Sequence, residues 1–467
     1  MKKKRIKGII LSGFIALIGL SSCQVMNKYK TPDIDSENLF RDKNSSDTTT
    51  IANISCLEYF TDPILQSYIE EGLNTNYDML IATERIKQAE ANLGMAKAAY
   101  FPDVALSGQV QHNRNSNGTK GKDVLGYHST DYSLGIAVTW EADIWGKLNR
   151  QSRSKYAEML NSYAGRNLVR TSLIANIANT YYSLLALDEQ LKVTVEMVKL
   201  MEENLITTEA LKEAGKANGA AVEQTKASLH SVKISIPDLE NNIRQLENSM
   251  CVMLGRRPGT VSRTSLNRQN VPTQLSYGVP MQMLARRPDV QQAELSFRSA
   301  FELTHAAKAN FYPSIKLTSG TIGYANNTLS NFFKPENIFA SIIGGLTQPI
   351  FAKKQLTTQY KIAKYEQQAT LLTFEKTVLE AGQEVSDIMN TYESSLKKTQ
   401  NRNIQVESLV KSVSYTQELL KAGEANYLEV LTAQQGLLEA QLNQVSDKLE
   451  QLQAVSNLYR ALGGGIE

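Results

Sequence analysis

Cysteine is nearly absent: the chain has 3 among its 467 residues. Cys23, Cys56 and Cys251 lie far apart with no CxxC pair, which leaves neither a disulfide scaffold nor a thiolate metal site. Cys56 and Cys251 read as a small apolar filler and a lone loop thiol, with a disulfide between them left open and not expected. Histidine is equally sparse, with 4 scattered residues and no HExxH, and GxSxG and Walker patterns are missing too. Nothing here spells enzyme chemistry, a resident cofactor or metal, or nucleic-acid recognition. Prolines number 11 and aromatics make up 7%, while Ala, Leu, Gln, Glu, Lys and Asn dominate, a balance that favours long helices over a thick core. No apolar run reaches the roughly 20 residues that a membrane-spanning helix needs.

What is present begins at the N-terminus. "MKKKRIKGIILSGFIALIGLSSC" has a basic start, an apolar stretch from Ile9 to Leu20, and Leu20-Ser21-Ser22 before Cys23. It resembles a bacterial lipobox, which implies removal of residues 1–22 and N-acyl and S-diacylglycerol lipid on Cys23. Removal also takes away Lys2, Lys3, Lys4, Arg5 and Lys7, so the formal +3 becomes about −2. The polar, aperiodic residues 23–59 then read as a lipidated tether.

The regular part is written twice. "AKAAYFPDVALSG" (96–108) returns as "AKANFYPSIKLTSG" (307–320), and "IANTYYSLL" (177–185) returns as "IMNTYESSL" (388–396). "AGKANGAAVEQ" (214–224) likewise matches "AGEANYLEVLT" (422–432). Two tandem modules follow, 60–258 and 279–467, joined by a linker over 259–278. Each reads helix, strand, loop, strand, long helix, turn, helix. Asp62 and Pro63 suit the cap and first position of a helix running unbroken from 64 to 99. The long helices over 148–214 and 354–421 would each measure roughly 100 Å.

Their apolar spacing alternates three and four. In the first copy the seam is Ile174, Ile177, Tyr181, Leu184, Asp188, Leu191, Val195, Val198, Glu202 and Leu205. In the second it is Phe374, Val378, Ala381, Val385, Ile388 and Tyr392, continuing through Val406, Leu409, Val413 and Leu420. Such a seam means coiled-coil packing.

Between helices lie strands. In "DYSLGIAVTW" Tyr132, Leu134, Ile136, Val138 and Trp140 alternate with small or polar residues, the pattern of a membrane β-strand with aromatic ends. "SIKLTSGTIGY" and "NIFASIIGGLT" alternate too weakly for their faces to be read. Four strands cannot close a barrel, and open edges cannot sit in lipid. Either they form an ordinary exposed sheet or several chains pool them; three chains would give about twelve strands and an open lumen.

Five ordered motifs, "WEADIWGKLNR" (140–150), "MLGRRPG" (253–259), "VPMQMLARRPDVQQAELSFRSA" (279–300), "AKANFYPSIKL" (307–317) and "LTQPIFAKKQL" (346–356), each fall at an expected helix or strand end. Over roughly Phe60 to Gly463 the chain resembles the outer-membrane factors of tripartite efflux pumps, of the TolC and OprM type, in their NodT-like lipoprotein branch. The resemblance implies a mainly α fold with a membrane β-barrel: a homotrimer whose four strands per chain make a 12-stranded barrel in the outer membrane above a coiled-coil helical barrel in the periplasm. It implies a passive exit duct for drugs or other small solutes, served by a periplasmic adaptor and an inner-membrane transporter of the resistance-nodulation-division (RND) type. A type I protein secretion duct and a non-pore, lipid-anchored periplasmic scaffold remain the alternatives.

The residues that would matter fall in two places. Tyr100, Phe101, Tyr132, Trp140, Phe311 and Tyr312 are the candidates for the membrane interface. The turns "KEAGKANGAAVE" and "KAGEANYLEVL" join each long helix to its return helix, with Gly215 and Gly423 placed to end helices in the left-handed conformation. The resemblance adds that these tips meet the adaptor and constrict the tunnel, which singles out Lys216, Asn218, Glu424, Asn426 and Tyr427. Where some family members carry a gating aspartate this chain has Ala425, with Glu424 beside it. Arg286, Arg287, Pro288 and Asp289 read instead as a structural helix start.

Overall fold

The computed structural model describes residues 27–33, 39, 51, 54–114, 116, 128–271 and 284–466. Cys23 and the leader lie outside them, as do most of the loop after Arg114 and the linker from 272. Helices are α1 (Cys56–Tyr59), α2 (Pro63–Thr75), α3 (Tyr77–Ala98), α4 (Lys147–Glu213), α5 (Gly219–Met253), α6 (Pro288–Ala309), α7 (Gln355–Ala422) and α8 (Tyr427–Ala461). Strands are β1 (Asp103–Arg114), β2 (His128–Ala142), β3 (Ser314–Asn326) and β4 (Ile338–Thr347). Two compact units draw on both sequence copies: one holds 87–161 and 293–373, the other 54–86, 162–292 and 374–467.

The first unit is built on one antiparallel sheet of order β1-β2-β3-β4. Its register assigns every face. Val104, Leu106, Gly108 and Val110 oppose Val138, Ile136, Leu134 and Tyr132. Ile136 and Leu134 in turn oppose Ile322 and Tyr324, which oppose Ala340 and Ile338. This face is apolar and open, with Leu106 74% and Ile342 83% exposed. The other carries Ala105, Ser107, Gln109, Ser133, Gly135, Ala137, Thr321, Gly323 and Ser341, with Phe339 and Ile343 as exceptions.

The weak alternation of β3 has a single cause. Register shifts between Leu317 and Ser319 on one side and between Val138 and Trp140 on the other mark an extra residue in β3. A bulge of one residue reverses the phase, so odd positions point outward below it and even positions above. The residue at fault is the one by which "KLTSG" exceeds "ALSG" in the sequence repeat. Ile315 and Leu317 thereby join the apolar face beside Trp140.

Residues 27–33, expected as part of a tether, form neither helix nor strand but dock on this unit. Tyr29 packs against Phe297 and Phe301 at centroid distances of 5.9 and 5.5 Å, under the Arg298 guanidinium. Its hydroxyl and that of Thr31 donate to Glu294 at 3.2 and 2.8 Å. Arg150 donates to the Asn27 carbonyl at 3.0 Å while pairing at 2.7 Å with the fully buried Glu302.

The second unit has the larger core. Leu65, Ile69, Ile174, Ile177, Tyr181, Leu184, Met250, Leu452 and Tyr459 are all buried in it, each contributing about 1.5–3 kcal/mol of transfer energy. Asp62 caps α2 as expected, accepting from the Ile64 and Leu65 amides. The single helix expected from 64 to 99 is broken at Asn76, which is extended at φ −62°, ψ 130°. Its Oδ1 accepts from the Asp78 and Met79 amides at 2.8 and 3.2 Å, and its Nδ2 donates to the Met253 carbonyl at 2.9 Å. A capping asparagine held by the end of α5 makes a break that neither proline nor glycine announces.

The seam of α4 also departs from expectation. Ile174, Ile177, Tyr181, Leu184 and Val198 are buried, but beyond Leu184 the buried side centres on Thr194, Met197, Met201, Asn204 and Thr208, leaving Val195 and Leu205 half-covered. A straight α-helix drifts about 20° per heptad against a 3.5-residue seam. Asp188 is half-buried and pairs with Arg263. On α7, Phe374, Val378, Ala381, Val385, Tyr392, Val413 and Leu420 are buried as spaced.

Cys56 and Cys251 are free; both are helical and Cys251 is buried, so neither is a loop thiol. Pro288 opens α6, and Arg287 donates to the Ala461 carbonyl at 2.9 Å and pairs with Asp289 and Glu384. That start is structural, as read.

Candidate functional site

The two turns lie side by side in the second unit. Each is a Schellman stop: Lys216 and Glu424 donate backbone N–H groups to the Leu211 and Leu419 carbonyls, at 2.8 and 2.9 Å. Gly215 and Gly423 hold φ at +71° and +80°, conformations that cost a side chain roughly 1 kcal/mol or more.

Asn218 and Asn426 are helix caps. Asn218 Oδ1 accepts from the Ala221 amide at 2.9 Å, and Asn426 Oδ1 accepts from Leu428 and Glu429 at 2.9 and 3.1 Å. Their side-chain oxygens are therefore committed within the turns. Tyr427 is half-buried and donates its hydroxyl to Gln224 at 3.3 Å, linking the second turn to α5 of the first copy. Glu424 and Lys216 are exposed. The Lys216 ammonium comes within 3.9 Å of where a Gly423 Cβ would stand. Between the turns is a cleft of about 710 Å³ lined by Leu211, Lys216, Asn218, Leu420, Asn426 and Tyr427. Among the described residues no cluster of His, Cys, Asp and Glu could hold a metal ion.

The aromatic candidates collect where helices meet strands in the first unit. Trp140 donates its indole N–H to the Tyr100 carbonyl at 2.9 Å, and Gln348 donates to the Phe311 carbonyl at 3.0 Å. Tyr312 stacks on Trp145 at 4.9 Å, and Trp145 donates to the Pro313 carbonyl at 2.7 Å. Phe311 meets Tyr360 edge-on, whereas Phe101 is 73% exposed. Tyr132 is on the outward face near the far end of β2 from Trp140. Sequence reasoning missed Trp145 as a junction residue and missed the far-end cluster of Tyr324, Phe332 and Phe333. The "NFFK" run was the available signal for the second.

A sheet with one apolar face, two edges open among the described residues and aromatic residues at both ends has the chemistry of a barrel wall in lipid. The sequence profile described as "Outer membrane efflux protein" matches residues 68–256 and 279–464. The chain belongs to the outer membrane efflux protein family. Among its curated relatives is a protein described as "Probable outer membrane lipoprotein SilC" of Salmonella typhimurium, 27% identical with 87% of each chain covered. Another is the toluene efflux pump outer membrane protein TtgC of Pseudomonas putida, 26% identical over 98% of this chain and 95% of that one. The fold is that of the outer-membrane channel OprN, with a TM-score of 0.85, 24% identity, and 95% and 100% of the two chains covered. This outer membrane efflux protein is therefore an outer-membrane channel component of an efflux system that extends into the periplasm.

Proposed function

We propose that three copies of this outer membrane efflux protein pool their strands into a 12-stranded barrel whose polar face lines a passive exit duct for drugs or other small solutes. The observation that carries this reading is the sheet: four strands with one continuous apolar face and both edges unpaired among the described residues. Backbone groups on an open edge have no partner in hydrocarbon, so a stable wall requires neighbours. The paired turns are the docking end for a periplasmic adaptor, and an inner-membrane RND transporter supplies the energy. Cys23 carries the N-acyl and S-diacylglycerol lipid, and no other cofactor takes part. The test is purified full-length protein in a planar bilayer together with its migration in mild detergent before and after heating. Discrete conductance and a heat-sensitive trimer are expected. A monomer without conductance would overturn the duct in favour of a non-pore scaffold.

A further inference from the structure

The seam between β2 and β3 joins the second strand of the first copy to the first strand of the second copy, and the chain's two free edges carry the counterparts of both. β3 corresponds to β1 at an offset of 211 below the bulge and 212 above it, because Ser314 pairs with Thr347 as Asp103 pairs with Thr139. Those same pairs relate β4 to β2 at an offset of 208. Two side-chain bonds fix the same offsets independently, since Gln348 reaches the Phe311 carbonyl as Trp140 reaches that of Tyr100.

Carrying the contacts of the inner seam to the outer edges gives a definite register. Val138 opposite Gly320, Ile136 opposite Ile322 and Leu134 opposite Tyr324 become three pairs between chains. We infer that β4 pairs with a second copy's β1 so that Leu346 opposes the partner subunit's Gly108, Gly344 the partner subunit's Val110, and Ile342 the partner subunit's His112. This rests on the three-chain closure proposed above.

Two observations favour this register. It keeps the apolar faces continuous, which any one-residue slip would reverse. It sets large against small, as Val138 is set against Gly320 in the inner seam.

The test is oxidative cross-linking of the full-length lipoprotein in membranes with copper-phenanthroline, read on non-reducing gels beside conductance. Gly344→Cys with Val110→Cys and Gly345→Cys with Gln109→Cys share the register and sample both alternating pair geometries. Each double variant should give reducible dimer and trimer bands at least tenfold stronger than Gly344→Cys paired with Gly108→Cys or His112→Cys. Equal or stronger cross-linking of those slipped pairs overturns the register. So does the absence of every cross-link in a protein that still conducts as a trimer. A monomer without conductance overturns the closure itself along with it.

Discussion

The Tyr181 hydroxyl of α4 donates to Asp62 Oδ2 at 2.9 Å, with both side chains buried. Thr264 and Gln269 donate to the same oxygen at 2.6 Å each, so the N-cap of α2 also gathers the start of the linker between the copies. Burial pushes the Asp62 carboxyl upward, but the hydrogen bonds from Thr264, Gln269, Tyr181 and Ile64 outweigh it and hold it below the usual carboxylate range. The unfolded chain therefore takes up a proton at higher pH than the folded one. Asp62 contributes its stability fully above the ordinary carboxylate value near pH 4 and loses it as pH falls through the lower folded value. Asp62→Ala should cost roughly 3 kcal/mol at neutral pH by orphaning buried donors. Thermal midpoints measured from pH 7 downward should show the gap from wild type narrowing below about pH 4.

Removing a cap should loosen a tip without touching the core. Asn426→Ala is expected to cost about 1 kcal/mol in the first turn of α8. Hydrogen exchange should speed up roughly fivefold for the Leu428 and Glu429 amides and stay unchanged at Leu458. Equal acceleration at both would mean global destabilisation instead.

Glu424 is exposed at the turn, and Glu203 is exposed well back along α4. Glu424→Ala should change single-channel conductance or leak more than Glu203→Ala does. Equal effects would mean that Glu424 has no part in gating.

Tyr29 is the anchor of the docked N-terminal segment, with Lys28 and Lys30 exposed on either side. Tyr29→Ala should speed tryptic cleavage after these lysines several-fold, while Tyr29→Phe, which keeps the ring, should change it little. An unchanged rate in the alanine variant would show that Arg150 and Thr31 hold the segment unaided.

Cys23→Ser should abolish incorporation of labelled palmitate. Retained label would place the acyl chain elsewhere.

Much of this was legible in the residues. The repeat, the four strands, the long helices and the caps at Asp62 and the glycine turns depend on local chemistry, which composition and spacing carry. The Asn76 break was not legible, because what stops the helix there is a carbonyl of Met253, distant in sequence. Nor was the drift of the α4 seam, since the partner across a helix face is absent from a periodicity. The faces of β3 stayed hidden for a smaller reason: one inserted residue, between Leu317 and Ser319, inverts the alternation within a 13-residue strand. The two turns stand side by side in the structure, and two of their residues, Asn218 and Asn426, have a structural duty that a lone turn motif shows only through their cap positions.

The turns between α4 and α5 and between α7 and α8 are bends without slack. Helix ends are closed on one side by a left-handed glycine and on the other by an asparagine, within the residues between Glu213 and Gly219 and between Ala422 and Tyr427. A hinge needs spare length, and here there is none. A push delivered at such a bend passes into the helices as it would into the closed end of a tuning fork, so any movement there has to come from the helices leaning together or apart.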